Sequence, residues 1–185
     1  MKYLVEVKNL KKNYSSKEAV KNISFNIEEN EVLGLLGPNG CGKTTTIGML
    51  LGLLKPSAGE LKIDNMKFEK NRIEILSKIN FISPYIELPK KLTVKQNLIV
   101  YGKLYNIKDL KNRIEFLTEK LRLKELLNRI TGELSSGQKN RASLAKALIN
   151  KPKVLFLDEP TASLDPEIGD FVRSFLENYK KENKI

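Results

Sequence analysis

Between positions 37 and 44 the chain reads Gly37-Pro38-Asn39-Gly40-Cys41-Gly42-Lys43-Thr44, which fits the pattern G-x-x-x-x-G-K-[ST] in full. Glycines in such a stretch let the backbone approach phosphate oxygens and point successive N–H groups inward. The helix predicted to follow begins at this loop, so its positive end faces the anion. The stretch therefore predicts a P-loop that cradles the phosphates of ATP. Lys43 is expected to reach the β- and γ-phosphates and the Thr44 hydroxyl to ligate Mg²⁺, with Thr45 also in the nucleotide-binding set.

The segments around the loop alternate between strand and helix patterns. A continuously apolar run, Val32 to Leu36, leads into the loop and predicts a central strand covered on both faces. Lys43 to Leu54 predicts a helix that stops before Pro56. Further strands are predicted at Tyr3 to Val7, Ala19 to Ile27, Glu60 to Ile63, Ile79 to Ser83 and Val154 to Leu157, with helices from Thr93 to Arg129, Ser136 to Ile149 and Pro166 to Lys181. This order predicts an α/β fold with a largely parallel sheet and flanking helices.

Composition and charge narrow the class of protein. A chain of 185 residues, 41% hydrophobic and 30% charged, is typical of one soluble globular domain. Its 33 Lys and Arg against 22 Asp and Glu give a net charge of +11, which admits a nucleic-acid or anionic-membrane partner. The lysines are spread along the chain among acids, which favours a lysine-rich solvated surface instead. No specific nucleic acid is expected as a partner.

Three features of the sequence indicate where the protein works. Apolar stretches such as Ile47 to Leu54 are too short to span a bilayer. The first residues, Met1 to Glu6, lack an apolar secretory core, so no signal peptide is expected. Cys41 is the single cysteine and cannot form an internal disulfide, which suits the reducing cytosol.

Two carboxylates follow the apolar strand Val154 to Leu157. Asp158 and Glu159 would emerge at its carboxyl end, which is where ligands of open α/β sheets bind. We expect Asp158 to hold Mg²⁺, directly or through water, and Glu159 to polarise the attacking water as a general base. Acids at a protein surface are the alternative explanation, and the P-loop earlier in the chain favours the metal site.

A third motif, Leu134-Ser135-Ser136-Gly137-Gln138, precedes an amphipathic helix. Taken alone, it is explained by a helix N-cap. With the P-loop and the Asp158–Glu159 pair in this order, the sequence resembles the nucleotide-binding subunits of ABC transporters over essentially the whole chain. In that family the segment reads Leu-Ser-Gly-Gly-Gln and binds the γ-phosphate of ATP held by the other protomer. Ser136 replaces the first glycine here.

The resemblance implies further features. It implies a P-loop NTPase fold over residues 1–185, with an N-terminal antiparallel β-subdomain and an inserted helical subdomain over residues 93–130. Tyr14 lies where an aromatic side chain stacks on adenine, with Val20 beside it, although a tyrosine at a strand end also packs without a ligand. Thr161 to Asp165 resembles a segment that contacts the opposing subunit. Leu92 to Leu98 resembles the start of the subdomain that docks on the membrane partner.

Two positions depart from the family pattern. The family places a glutamine where this chain has Pro84, and proline cannot ligate a metal. Either Ser83 or a water fills the gap, or coupling to the membrane domain differs in this branch of the family. The family also carries a histidine that reaches the γ-phosphate from the next strand, whereas this chain contains no histidine. We therefore expect a C-terminally truncated piece of a longer protein, lacking the final strands of the sheet. Such a piece should bind ATP better than it hydrolyses it.

The predicted function is that of an ATPase subunit that powers a separate integral membrane permease, with export favoured. It would pair with a second ATP-binding subunit, identical or different, and lie at the cytoplasmic face of the cell membrane through the permease. One alternative is a non-transport ABC ATPase acting on ribosomes or DNA, although neither a second P-loop nor a coiled-coil insert occurs in the sequence. Another is a nucleotide-binding regulator that hydrolyses little ATP.

Overall fold

The computed structural model describes residues 3–15, 17–83, 87–160 and 164–183, and the chain divides between Ile79 and Asn80 into two units. The strands are β1 (Val5–Tyr14), β2 (Lys17–Ile27), β3 (Ala58–Ile63), β4 (Met66–Lys67), β5 (Ile79–Ile82) and β6 (Val154–Leu157). The α-helices are α1 (Lys43–Leu50), α2 (Phe68–Lys78), α3 (Val94–Leu104), α4 (Leu110–Lys120), α5 (Ser136–Leu148) and α6 (Pro166–Asn183). None of the helices in these ranges is both long and apolar enough to cross a bilayer.

An antiparallel sheet organises the first unit. Its strand order is β2-β1-β3-β4, so β1 is paired on both edges. Val5 of β1 lies opposite Ile27 on one side and Ile63 on the other, and both Val5 and Ile63 are fully buried. Burying an aliphatic side chain of this size stabilises a fold by about 1.5–3 kcal/mol. The N-terminal antiparallel β-subdomain implied by the family resemblance is confirmed.

The predicted central strand from Val32 to Leu36 is wrong for the part of the chain that the structure describes. These residues belong to no strand, and Val32 and Leu36 are 76% and 94% exposed. An apolar run becomes a strand only when a neighbouring strand completes its hydrogen-bond ladder. Neither sheet formed by the described residues includes this segment.

Helix α1 ends earlier than the sequence pattern predicts. The last helical residue is Leu50 rather than Leu54. Gly52 takes a positive φ of 65°, and the N–H groups of Leu53 and Leu54 both turn back to donate to the Gly48 carbonyl, at 2.9 and 3.0 Å. A left-handed glycine with returning N–H groups is a common way to end a helix.

The second unit contains the parallel pair β5–β6 and helices α3 to α6. The Asp158 N–H, just after β6, donates to the Ile82 carbonyl at 2.9 Å. The predicted helical region from Thr93 to Arg129 divides into α3, α4 and a short 3-10 turn. The apolar spacing along α4 predicts one packed face, and Ile114 and Leu117 on that face are indeed buried.

Arg113 connects three helices of the second unit. Its buried guanidinium, on α4, donates to the carbonyls of Leu148 and Ile149 at the end of α5, and to the Tyr179 hydroxyl of α6 at 2.7 Å. Carbonyls at a helix end have no partner within the helix. The guanidinium satisfies them and ties the ends of the helices together.

Lys146 joins α5 to β5. Its side chain is buried, its ammonium donates to the Phe81 carbonyl at 3.2 Å, and it lies 5.6 Å from the centre of the Tyr101 ring. Burial disfavours the charged form, so the pKa of Lys146 lies below its ordinary value of 10.5.

This buried lysine predicts a pH-dependent stability. Between the lowered pKa of Lys146 and 10.5, the unfolded chain holds more protons on this residue than the folded protein does. Lys146 therefore makes stability rise with pH through that window, and its desolvation cost is fully present below it. The Tm of the wild type minus that of Lys146→Met should increase as the pH is raised towards 10.5, measured by thermal unfolding. With Lys111→Met, at an exposed position, the difference should stay constant. A constant difference for Lys146→Met would contradict the prediction.

Candidate functional site

Strand β2 approaches the start of α1 closely at Gly42. Gly42 has a φ of 98°, and a Cβ built on it would lie 2.4 Å from the Ala19 carbonyl oxygen and 3.2 Å from a Val20 methyl carbon. A side chain at this position is therefore excluded both by the backbone conformation and by the neighbouring strand. Val20, 3% exposed, packs at the end of the loop, whose turn is closed by the Cys41 N–H donating to the Pro38 carbonyl at 3.3 Å.

The loop presents backbone N–H groups at the start of α1. The first helical bond runs from the Thr46 N–H to the Gly42 carbonyl at 2.8 Å, so the N–H groups of Lys43, Thr44 and Thr45 precede the helical ladder. The positive end of the helix dipole adds to these donors. The Thr44 side chain is exposed and Thr45 is half-buried, and Pro38, Asn39 and Gly40 are exposed. This arrangement can bind an anion.

The Lys43 ammonium turns onto the backbone of its own loop. Its Nζ donates to the carbonyls of Gly37 at 2.6 Å and Pro38 at 2.9 Å, and lies 3.9 Å from the Cys41 Sγ. The cation is thus positioned over the glycine loop. A phosphate bound there would compete with the two carbonyls for the same ammonium hydrogens.

Tyr14 lies at the end of the β1–β2 hairpin, opposite Lys17. Tyr14 is 45% exposed, and the Lys12 ammonium lies 5.1 Å from the centre of its ring. The exposed ring is not a packing residue of the core, so the packing alternative is weakened.

Asp158 and Glu159 follow β6 as predicted. The Ser83 hydroxyl donates to Asp158 Oδ2 at 3.2 Å, within the second unit. Glu159 is exposed and has a φ of 47°, a left-handed conformation that costs a non-glycine residue about 1–2 kcal/mol. Such conformations occur at functional sites. The next carbonyl, of Pro160, accepts a bond from Asn140 Nδ2 at 2.8 Å.

The predicted signature segment begins helix α5. Ser135 Oγ accepts from the Gln138 N–H at 3.3 Å, and Gln138 Oε1 accepts from the Ser135 N–H at 3.1 Å. This capping box satisfies N–H donors at the helix N-terminus. Ser136 is exposed, and a Cβ on Gly137 would lie 3.4 Å from Ile168 of α6. The N-cap explanation thus describes the side chains of Ser135 and Gln138 in this conformation.

Several predicted positions lie outside the described residues. Pro84 is one of them, and Thr161 to Ser163 are others. The sequence suggests Ser83 only as a substitute for the missing glutamine. Its place at the end of the predicted strand Ile79 to Ser83 is the signal that it would lie near the end of a neighbouring strand.

No cluster of three or more His, Cys, Asp or Glu side chains suited to a metal occurs among the described residues. The Thr44 hydroxyl of the first unit and the Asp158 carboxylate of the second unit each offer a hard oxygen donor of the kind Mg²⁺ binds, usually together with water and substrate phosphates. Each residue taken by itself therefore has donor chemistry that suits Mg²⁺.

A glycine loop at the start of a helix, an antiparallel sheet and a parallel strand pair define an α/β protein of the P-loop NTPase class. The ABC transporter family profile matches residues 20–162, and the chain belongs to that family.

The relatives and solved structures agree with this assignment. The chain is 37% identical over its whole length to the bacitracin transport ATP-binding protein BcrA of Bacillus licheniformis, and spans 60% of that protein. It is 35% identical to the ABC transporter ATP-binding protein NatA of Bacillus subtilis, over 90% of this chain and 69% of NatA. CbiO1 of Clostridium perfringens, part of the ABC transporter complex cbiONQ, matches with a TM-score of 0.86 and 33% identity, over 100% of this chain and 76% of cbiO1. A dimeric post-hydrolysis state of the ATP-binding cassette MJ0796, bound to ADP and Pi, gives a TM-score of 0.85 and 29% identity, over 97% and 84%.

We expect nucleotide binding to depend strongly on the Lys43 side chain. Lys43→Ala should abolish the rise in Tm that ATP produces, because the cation at the phosphate loop is lost. For the wild type, saturation at about 100 times Kd corresponds to about 2.7 kcal/mol of stabilisation. Lys21→Ala, at an exposed position of β2, should retain the shift. The Tm of each variant without ATP corrects for the lost bonds to the Gly37 and Pro38 carbonyls. A full ATP shift in Lys43→Ala would exclude this loop as the phosphate site.

Labelling of the Cys41 thiol can report whether the phosphate loop is occupied. Its thiol is exposed and close to the Lys43 ammonium, a setting that favours reaction with maleimide. ATP should slow labelling at least several-fold by covering the loop, whereas adenosine, which has no phosphate, should not. Mass spectrometry measures the rate, and Cys41→Ser provides the blank because the chain has no other cysteine. Equal rates with and without ATP would mean that the phosphates bind elsewhere.

Proposed function

We propose that this chain is the ATP-binding and ATP-hydrolysing subunit that energises a separate membrane permease, with export as the direction of transport. The observation that carries the proposal is the P-loop: donor N–H groups at the start of α1 and an ammonium positioned over the loop. Membership of the ABC transporter family supports it. The names of the relatives BcrA, for bacitracin transport, and the Nod factor export proteins favour export.

Nucleotide binding is assigned to the first unit. The loop Gly37 to Thr44, with Thr45, would bind the phosphates through backbone N–H groups and the Lys43 ammonium. Adenine would stack on the exposed Tyr14 ring, and Val20 would support the loop at Gly42. Lys43 would leave the carbonyls it contacts and bind the β- and γ-phosphates.

Thr44 and Asp158 are the residues that would hold Mg²⁺. When bound, the cation neutralises charge on the β- and γ-phosphates. For this ion, Thr44 would supply a hydroxyl oxygen and Asp158 a carboxylate oxygen.

Hydrolysis is assigned to Glu159. Its carboxylate is exposed and follows directly on Asp158, so it is available to accept a proton from the attacking water. The left-handed backbone conformation of Glu159, two residues after the end of β6, turns the chain. The Glu159 side chain therefore does not follow the alternating side-chain directions of the strand.

Dimerisation would complete the site. We assign the N-cap and first turn of α5, Ser135 to Gln138, in which the two serines are exposed, to the γ-phosphate of ATP bound by a second ATP-binding subunit, identical or different. The dimeric cassette MJ0796 among the similar structures supports this arrangement. Rotation of the Ser135 and Gln138 side chains out of their capping box would release two donors for that phosphate.

The helical region is proposed to bind the membrane partner. Residues 93–130 would form the inserted helical subdomain of a single ATP-binding domain and dock on an integral permease chain. The subunit would then lie at the cytoplasmic face of the membrane through the permease.

Glu159→Gln tests hydrolysis. The amide keeps the shape and loses the proton acceptor, so we expect ATP turnover to fall by roughly 10²–10⁴-fold. The ATP-induced rise in Tm should persist, and ATP should shift the variant towards a dimer on size-exclusion chromatography. Glu177→Gln, on an exposed face of α6, is the matched control and should turn over ATP like the wild type.

The outcomes separate the candidate functions. In the full-length protein, turnover of the Glu159→Gln variant equal to that of the wild type would remove Glu159 from the mechanism. ATP binding by the full-length wild type without turnover, in the presence of its permease, would favour a nucleotide-binding regulator.

A further inference from the structure

The end of β5 contacts the candidate metal-binding carboxylate through one hydroxyl. Ser83, 7% exposed, directly follows β5, and its Oγ donates to Asp158 Oδ2 at 3.2 Å. The two residues are 75 positions apart in sequence. The Asp158 N–H donates to the Ile82 carbonyl at 2.9 Å, so backbone and side chain of Asp158 are both bound to the end of β5.

The hydroxyl contact restricts a side chain that otherwise rotates. A carboxylate accepts several hydrogen bonds, and a donor at Oδ2 selects one orientation of the group. Bonds of this outer-shell type orient metal ligands and raise metal affinity. Ser83 engages Oδ2, and this bond would hold the carboxylate in one orientation towards a bound cation.

Strand β5 is itself held firmly. The buried Lys146 ammonium donates to the Phe81 carbonyl at 3.2 Å, and Asn80 Nδ2 donates to Asn150 Oδ1 at 3.0 Å and to the Tyr105 hydroxyl at 3.3 Å. These bonds secure β5 to α5, to the residues after α5 and to the end of α3. A hydroxyl at the end of a secured strand is well placed to hold a ligand in position.

We infer that Ser83 is a positioning residue that holds the Asp158 carboxylate in the orientation that binds the Mg²⁺ of MgATP. The inference rests on the proposed function. Pro84 has no side-chain oxygen to offer a metal, and among the described residues Ser83 supplies a hydroxyl to the Asp158 carboxylate from the end of β5. Its role is to orient Asp158 rather than to contact the nucleotide.

The test measures metal affinity separately from nucleotide affinity. ATP binding is followed by thermal shift in EDTA and then across a Mg²⁺ titration, and Mn²⁺ binding to the ATP-loaded protein is followed by electron paramagnetic resonance. Ser83→Ala should leave ATP binding in EDTA unchanged and weaken Mg²⁺ and Mn²⁺ binding by roughly 10- to 100-fold. Ser83→Thr keeps the hydroxyl and should restore most of the metal affinity. A purely structural serine would change Tm without changing the metal dependence.

A second variant keeps the test decisive if Ser83→Ala does not fold. Ser83→Cys keeps a side chain of similar size with a weaker donor, and should give an intermediate loss of metal affinity. Combining Ser83→Ala or Ser83→Cys with Asp158→Asn should add little to the loss caused by Asp158→Asn alone, because both changes act through one carboxylate.

The role of Ser83 and the proposed function can be refuted separately. If the wild type binds MgATP and the folded Ser83 variants show the same metal dependence, the role of Ser83 is wrong and the proposed function stands. If the wild type shows no ATP-dependent stabilisation in EDTA or in Mg²⁺, the proposed function is wrong and the role of Ser83 falls with it.

Discussion

The conformation of the phosphate loop requires a residue without a Cβ at position 42, and Gly42 meets this requirement. Strand β2 passes so close to the first turn of α1 that a Cβ there would meet the Ala19 carbonyl oxygen at 2.4 Å. The left-handed φ of 98° at the same residue turns the chain from loop to helix. Together these two features fix where α1 begins, and hence which N–H groups precede its hydrogen-bond ladder. Lys43 is the first helical residue, so the position of its cation follows from the same turn.

The second unit depends on how β5 is anchored. Its end receives the Asp158 N–H and contributes the Ser83 hydroxyl to the Asp158 carboxylate. The buried Lys146 secures the strand from α5 at the cost of a desolvated cation, which is reflected in its lowered pKa. The buried Arg113 performs a comparable role among α4, α5 and α6 by satisfying carbonyls at a helix end. In both cases a long cationic side chain donates to backbone carbonyls of another element and so ties the two elements together.

Agreement between sequence and structure was good where the signal was local. The strand β2, the buried face of α4 and the strand Val154–Leu157 all follow from local residue patterns, whereas β1 runs on to Tyr14, well past the Val7 at which the predicted strand ends. Ser135 and Gln138 form the capping box that their spacing of three residues allows. The apolar run from Val32 to Leu36 gave the wrong prediction because a strand needs a partner, and apolar character alone does not supply one.

By itself the sequence determined which residues form the phosphate loop and which acids follow a strand, because these properties depend on neighbours within a few positions. It also determined family membership through the order of its motifs. Only the tertiary structure decided that Val20 packs at Gly42, that Ser83 donates to Asp158, and that Val32 and Leu36 remain exposed. Each of these depends on which distant segments become neighbours. Hydrogen bonds and close contacts form over a few ångströms, and for residues far apart in sequence the fold alone decides whether they come within that distance.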